Sequence, residues 1–199
     1  MSGLAPIKQG FLRAAIFMAV VGAIHVVDTL TGDFLSNRLG VIPRHLWGLD
    51  GILFSPLLHG DFGHYFANLL PMVVLLGLLF SNPNYKPWRT LVLIWLLSGV
   101  GTWLIGRPES NHIGASGVIF GLVTFLVTAA VILRSWRSAI ISAVVFFMYG
   151  GILFGALPPL LNSSMEANIS WEGHLSGAVG GIIAAWRIRR NKNRSPLSL

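Results

Sequence analysis

Two side chains in this chain of 199 residues could act together as a nucleophile and its base. Ser116 lies in the run Gly114-Ala-Ser-Gly117, and His174 follows Glu172 by two residues. A serine hydroxyl becomes a strong nucleophile only when a base within hydrogen-bond distance takes its proton, and imidazole suits that task near neutral pH. Glu172 lies about 200° from His174 around a helix and is expected to face the aqueous loop. The sequence therefore predicts a Ser–His dyad rather than a triad with a carboxylate.

Other polar residues could stabilise the negative charge that such a reaction develops. His64 and Asn68 are four residues apart and share one helical face, from which both side chains can donate hydrogen bonds to an oxyanion beside Ser116. The backbone N–H of Ser116 is a further donor, because the first amides of a helix have no partner within it. His112 lies four residues before Ser116 and competes as the base, although it is expected to precede the helix.

The remaining histidines and acidic residues do not predict a metal or an aspartyl site. His59 and His64 are five residues apart, roughly 140° around a helix, which disfavours joint metal ligation. The chain contains no cysteine and no His-Glu-x-x-His motif, so we expect no metal and no cofactor. The Gly-Asp pairs at 32–33 and 60–61 lie outside the apolar runs, which argues against an intramembrane aspartyl dyad. His25 is interpreted as a packing residue.

The composition indicates that these residues belong to a membrane protein. Hydrophobic residues make up 54% of the chain and charged residues 11%, with a mean hydropathy of +0.71, whereas soluble domains carry about 25% charged residues. A spanning helix needs about 20 apolar residues, so the chain has room for about six. The predicted helices are at about 11–30, 62–80, 88–106, 113–133, 138–157 and 172–188. We therefore expect an all-α membrane protein with a single domain over residues 1–199.

The charged residues indicate the orientation of these spans. Eleven of the fourteen Lys and Arg residues lie before the first apolar run, in the second and fourth connections, or beside and after the end of the sixth run. All seven acidic residues lie in or beside the other three connections. The positive-inside rule therefore places both termini in the cytoplasm. The basic segment 189–199 is interpreted as a cytoplasmic tail that anchors this topology and touches anionic lipid, rather than as a nucleic-acid binding site. The short termini favour the plasma membrane of a bacterium or an archaeon.

The topology also predicts where the external side of the protein carries its polar residues. The first external connection, from about residue 31 to residue 61, is long, and we expect a partly helical segment in the outer interface with Trp47 as its anchor. The second, fourth and sixth spans would all run inward from the outside. Four polar side chains would then share one layer below the outer surface: His64, Asn68, Ser116 and His174.

Glycines four residues apart predict which of these helices touch. Gly117 and Gly121 lie on the fourth predicted span, and Gly173, Gly177 and Gly181 lie on the sixth. Small residues at this spacing let two helix backbones approach closely in lipid. The contact would bring the serine and the histidine of the dyad within hydrogen-bond distance.

At these residues the chain resembles the rhomboid intramembrane serine proteases. The resemblance covers essentially all six predicted spans and is specific because three motifs occur in the expected order. These motifs are Gly114-Ala-Ser116-Gly117, His59-x4-His64-x3-Asn68, and Gly173-His174-x2-Gly177-x3-Gly181. The run from Gly51 to His59 also resembles the entry to the second helix in bacterial members.

The resemblance implies a six-helix rhomboid-like bundle in which Ser116 is the nucleophile and His174 is the general base and acid. It implies that His64 and Asn68 are the side chains of the oxyanion hole. The supporting residues that it implies are His59, Phe120, Gly114, Gly117 and Gly177. Phe120 stands where the family often has tyrosine, so the ring can still stack on the catalytic histidine while any hydroxyl role is lost.

The reaction implied by the resemblance is hydrolysis of a peptide bond in or near the transmembrane segment of a membrane-protein substrate, through an acyl-enzyme. Two alternatives use the same sequence differently. One is a non-proteolytic rhomboid-like protein that holds membrane clients without cutting them. The other is a small proton-linked transporter in which His25 or Asp28 relays protons and Ser116 has no role.

Overall fold

A computed structural model of the protein describes residues 4–108, 110–157 and 170–192, which are almost entirely helical. The helices are α1 (Leu4–Leu30), α2 (Phe34–Arg38), α3 (Gly51–Phe54), α4 (Phe62–Phe80), α5 (Pro87–Ile105), α6 (Ser116–Leu133), α7 (Trp136–Tyr149) and α8 (Trp171–Lys192). The extended backbone in these ranges includes one isolated antiparallel bridge between Val41 and His112. The end of the basic tail, residues 193–199, lies outside the described residues. The described chain therefore belongs to the all-α class.

Four of the described helices are long and apolar enough to cross a membrane: α1, α4, α5 and α6. The helix α7 is apolar but has only 14 residues, and the 3-10 segment Gly150–Ala156 continues it. The helix α8 has 22 residues, but Glu172 in its first turn and the basic residues near its end make it much less apolar. Length and composition thus identify a helical membrane protein.

The surface of the bundle is apolar, and its buried residues include polar ones. Leu12 on α1 and both Phe66 and Leu70 on α4 are each at least 60% exposed. His25 and Asp28, in contrast, are each only 1% exposed. Large exposed apolar areas mark surfaces that contact lipid or another protein. This distribution fits a chain whose helices meet lipid on the outside and protein inside.

The helix α6 lies at the centre of the bundle and is in backbone contact with α8. An added Cβ at Gly177 would lie 1.8 Å from the carbonyl oxygen of Gly117, and one at Gly181 would lie 2.0 Å from that of Gly121. No residue larger than glycine fits at either point while the helices keep this separation. Thr124 strengthens the contact by donating a hydrogen bond to a carbonyl oxygen of α8 over 2.8 Å. The two glycine stripes therefore hold α6 and α8 together.

The connection between α1 and α4 folds back against α5 instead of extending away from the bundle. It contains α2, α3 and 3-10 turns at Leu46–Gly48 and Ser55–Leu57. Tryptophan side chains of α5 fasten it: Trp103 donates a hydrogen bond to the carbonyl of His45 over 2.9 Å, and Trp95 donates to the carbonyl of Leu53 over 3.1 Å. Trp47, the predicted interfacial anchor, is 61% exposed.

Candidate active site

The structure brings the side chains of Ser116 and His174 together at the start of α6 and α8. The Nε2 atom of His174 lies 2.9 Å from Ser116 Oγ, and its Nδ1 atom lies 3.0 Å from the carbonyl oxygen of Gly155. A carbonyl only accepts, so Nδ1 carries the proton and the neutral ring has an unprotonated Nε2. The serine hydroxyl can therefore donate its hydrogen to a base that is already in the required tautomer.

The carbonyl of Gly155 takes the place that a carboxylate has in a triad, and the sequence contained no signal for it. Gly155 belongs to the 3-10 segment after α7, which no motif connects to the dyad. A main-chain carbonyl can be supplied by any residue type, so residue identities do not reveal it. Only the folded arrangement brings this carbonyl to the imidazole.

Phe120 packs flat against the imidazole of His174. The two rings are stacked, with centroids 4.0 Å apart and an angle of 10° between their planes. Phe120 follows Ser116 by about one turn of α6, so one helix supplies both the serine and the aromatic surface behind the histidine. The stack restrains rotation of the imidazole about its side-chain bonds.

Gly114 makes room for His64 beside the serine. Its φ is +116°, a conformation that residues with a side chain rarely adopt. An added Cβ would lie 2.6 Å from the Cε1 and Nε2 atoms of His64, so the imidazole of α4 lies against the backbone two residues before Ser116. The absence of a side chain at Gly114 thus has both a backbone and a packing reason.

The first turns of α4 hold His64 and Asn68 by hydrogen bonds to the helix itself. The side chain of Asp61 accepts a hydrogen bond of 2.7 Å from the N–H of His64 and caps the helix, and this bond lowers the pKa of the carboxyl. Asn68, which is 4% exposed, donates from Nδ2 to the carbonyl oxygen of His64 over 2.8 Å. The structure therefore places His64 against the turn before the serine, while the amide of Asn68 is bonded within α4.

A buried histidine cluster lies behind His64. The ring of His59 is 5.0 Å from that of His64 and 6.3 Å from that of His25. The pKa of His59 is lowered to about 3, first because the ring is buried and then because the two neighbouring histidines disfavour its charge. Neither His25 nor His59 has a hydrogen-bond partner for its ring nitrogens among the described residues. Among the residues that the structure describes, no group of three or more His, Cys, Asp or Glu side chains could hold a metal ion.

The expectation that Glu172 faces the aqueous loop is wrong. The residue is fully buried, and its Oε1 atom lies 3.0 Å from the Nε of Arg107 and accepts a hydrogen bond of 3.2 Å from the backbone N–H of the same residue. Helical periodicity does not predict this burial, because the segment after α5 folds over the start of α8. Glu172 is bonded to that segment and not to His174.

His112 and Asp28, two other candidates from the sequence, are engaged elsewhere. His112 precedes α6, and its ring nitrogens bond to Ser170 Oγ over 2.6 Å and Ser110 Oγ over 2.8 Å. Burial also lowers the pKa of His112. The carboxylate of Asp28 accepts hydrogen bonds from the backbone N–H groups of residues 35 and 36, the first over 2.7 Å. Both side chains therefore fasten connections between helices.

A small cavity of about 30 Å³, lined by both polar and apolar residues, adjoins the serine. The hydroxyl groups that line it include those of Ser98, Thr102, Ser116 and Ser170. A site of this volume is large enough for one water molecule, and several polar groups surround it. The arrangement thus offers a place for a small polar reactant next to Oγ.

Comparison with known proteins associates this chain with one family. The family model described as Rhomboid domain matches residues 43–191. Uncharacterized proteins of Mycobacterium tuberculosis and Mycobacterium bovis are each 42% identical over 177 residues, which cover 85% of this chain and 71% of theirs. An uncharacterized protein of Mycobacterium leprae is 38% identical over 185 residues, covering 89% of this chain and 70% of its own length.

Proposed function

The chain belongs to the rhomboid family, and from that membership we propose that it is an intramembrane serine endopeptidase. Its substrates are membrane proteins, and it hydrolyses a peptide bond in or near their transmembrane segments. One observation carries the proposal: Ser116 Oγ lies 2.9 Å from His174 Nε2, while the opposite ring nitrogen donates to the Gly155 carbonyl. A serine at this distance from an oriented, unprotonated imidazole nitrogen is positioned for nucleophilic catalysis.

In the proposed first half-reaction, Ser116 Oγ attacks the carbonyl carbon of the scissile bond while His174 Nε2 takes the hydroxyl proton. The carbonyl electron pair moves to oxygen. His64, Asn68 and the backbone N–H of Ser116 donate to this oxyanion. When the C–N bond breaks, the imidazolium gives its proton to the departing amine, and the acyl group remains on the serine.

In the second half-reaction, water from the cavity beside the serine attacks the acyl carbon. His174 takes a proton from that water and returns it to Oγ as the ester bond breaks. The products are the two peptide fragments and the free serine. The dyad uses the neutral Gly155 carbonyl to orient the base, and Phe120 supplies an aromatic face against the transient imidazolium.

The membrane arrangement that we propose has six spans: α1, α4, α5, α6, α7 with its 3-10 continuation, and α8. Both termini lie in the cytoplasm of a plasma membrane, because the basic residues cluster at that side. The first external connection then lies in the outer interface. All of residues 1–199 form one domain, with the dyad near its outer surface and substrate helices entering laterally. His59 supports His64 from behind, as a neutral ring.

The proposal is tested by reconstituting the purified protein with a transmembrane substrate in vesicles. Wild-type protein should cleave the substrate and should react at Ser116 with a fluorophosphonate probe. Ser116→Ala and His174→Ala should each abolish cleavage, and the second should also prevent labelling. Cleavage that persists in both variants would refute the assignment. A wild-type protein that binds the substrate without cutting it would instead support the client-binding alternative.

A further inference from the structure

A second cavity, of about 550 Å³, lies between the first half of α5 and the last turns of α8. Its volume falls within the range of roughly 300–1,000 Å³ that is usual for ligand sites. The two helices approach each other closely nearer the dyad, where an added Cβ at Gly101 would lie 2.4 Å from Ser176 Oγ and one at Gly180 would lie 3.1 Å from Leu97 Cβ. The cavity opens beyond these contacts, at the end of α5 and α8 that is far from the serine.

Three basic side chains line this cavity: Lys86, Arg89 and Arg187. No acidic residue lines it, and the sequence has none from Phe62 to Pro108 or after Glu172. The concentration of positive charge is therefore not offset by a neighbouring carboxylate of these segments. A ligand that matches this site must carry negative charge.

Apart from Thr90, the rest of the cavity wall is apolar, and it continues along the membrane-facing side of α5. Trp88, Val92 and Leu96 follow each other at intervals of one helical turn and are 63%, 53% and 37% exposed. Ile188 of α8 closes the opposite side. From Lys86 to Leu96 this wall rises about 15 Å along the helix. A ligand that matches it must be apolar over a comparable length.

We propose that this cavity is a binding site for an anionic phospholipid, with the headgroup phosphate on the three basic side chains and one acyl chain along the α5 wall. Free phosphate would leave the apolar wall unused, and a neutral lipid would leave the charges unmatched. The basic residues also lie at the predicted cytoplasmic side, where the membrane leaflet carries anionic lipids and where basic pockets between helices bind such headgroups. The site is separate from the dyad and does not depend on its activity.

The test measures lipid binding to the full chain by native mass spectrometry, using phosphatidylglycerol and phosphatidylcholine with identical acyl chains. The variant Lys86→Gln/Arg89→Gln/Arg187→Gln should lose about fivefold in phosphatidylglycerol affinity for each charge, or about a hundredfold in total. Lys8→Gln/Arg134→Gln/Arg137→Gln is the matched control, since it removes the same charge elsewhere. Lys86 and Arg134 both have a φ of 49°, so each triple variant replaces one residue with left-handed backbone and the two variants are matched in this respect as well. The control should bind within about threefold of wild type.

Several outcomes would overturn the proposal. Equal losses in the two triple variants would show only a general charge effect, and equal binding of phosphatidylcholine by wild type would exclude headgroup recognition. If glycerol 3-phosphate displaced phosphatidylglycerol at the concentrations at which phosphatidylglycerol itself binds, the cavity would be a phosphate site rather than a lipid site. If the triple variant fails to fold, Arg187→Gln alone should still weaken binding by about fivefold, and an unchanged affinity would refute the assignment.

Discussion

The contact between the backbones of α6 and α8 makes the dyad sensitive to a single methyl group at Gly177. An added Cβ there would lie 1.8 Å from the carbonyl oxygen of Gly117, whereas real Cβ atoms essentially never come within 3.0 Å of a non-bonded heavy atom in another part of the chain. Gly177→Ala must therefore separate the helices locally by about 1.2 Å. His174 lies one turn before this point on α8, and Ser116 is the neighbour of Gly117 on α6.

The displacement should weaken catalysis far more than folding. A misplacement of about 1 Å can reduce a reaction rate by about a hundredfold, because the 2.9 Å hydrogen bond between Oγ and Nε2 is lost. Overpacking of this kind costs about 1–3 kcal/mol of stability. We therefore expect folded Gly177→Ala protein with about a hundredfold slower cleavage and fluorophosphonate labelling than wild type.

The assay compares labelling rates of wild type, Gly177→Ala and the control Gly180→Ala in the same detergent, with the folded fraction measured by thermal unfolding. The tightest contact of an added Cβ at Gly180 is with the Cβ of Leu97 at 3.1 Å, and the backbone of Ile94 lies at an ordinary 3.6 Å, so a shift of a few tenths of an ångström accommodates it. The control should label within about threefold of wild type. A folded Gly177→Ala protein that labels as fast as the control would refute the claim that this backbone contact sets the dyad geometry.

Three further predictions concern the surroundings of the dyad. Phe120→Ala removes the stack on His174, an interaction of about 0.5–1.5 kcal/mol, and should slow labelling by up to about tenfold; a rate equal to wild type would contradict a role for the ring. Glu172→Gln should lower the thermal midpoint, because it weakens the ion pair with Arg107, but should change labelling per folded molecule by less than about threefold; a loss of a hundredfold would mean that the carboxylate acts on the base. The folded-state pKa of His59 is about 3 against 6.5 when unfolded, so the unfolded state binds more protons below pH 6.5 and stability should fall as the pH drops from 6.5 towards 3, by up to about 1.4 kcal/mol per pH unit. His59→Phe should reduce this dependence in thermal unfolding measured across that range, and an unchanged slope would exclude His59 as its source.

Local patterns in the sequence predicted a helix well where apolar residues continue along its whole length. The apolar run predicted at 62–80 has the bounds of α4, and the helical membrane class follows from composition alone. The patterns were less informative for α7 and α8. One is short and continued by 3-10 geometry, and the other mixes glycine, polar residues and basic residues. Neither matches the uniform apolar run that identifies a span.

For the candidate site, the sequence indicated side chains of the dyad and the backbone N–H at the start of the serine helix, but it did not indicate contacts that depend on tertiary folding. The glycine stripes correctly indicated that α6 and α8 touch, and the structure places Ser116 and His174 within hydrogen-bond distance. The carbonyl of Gly155 has no sequence signature. The burial of Glu172 depends on how the segment at Arg107 folds back, which helical periodicity cannot predict.

The 3-10 segment that carries Gly155 links His174, the proposed base, to the thickness of the bilayer. The 14 residues of α7 extend about 21 Å and the seven residues of the 3-10 segment about 14 Å, so together they exceed a hydrocarbon core of about 30 Å. In the proposed six-span arrangement, a segment with weaker hydrogen-bond geometry than an α-helix is the part of this fifth span that yields when the membrane is thicker or thinner. Its displacement would move the carbonyl that fixes the tautomer of His174. Lipid chain length is therefore expected to alter the rate of the proposed cleavage, independently of which substrate enters the site.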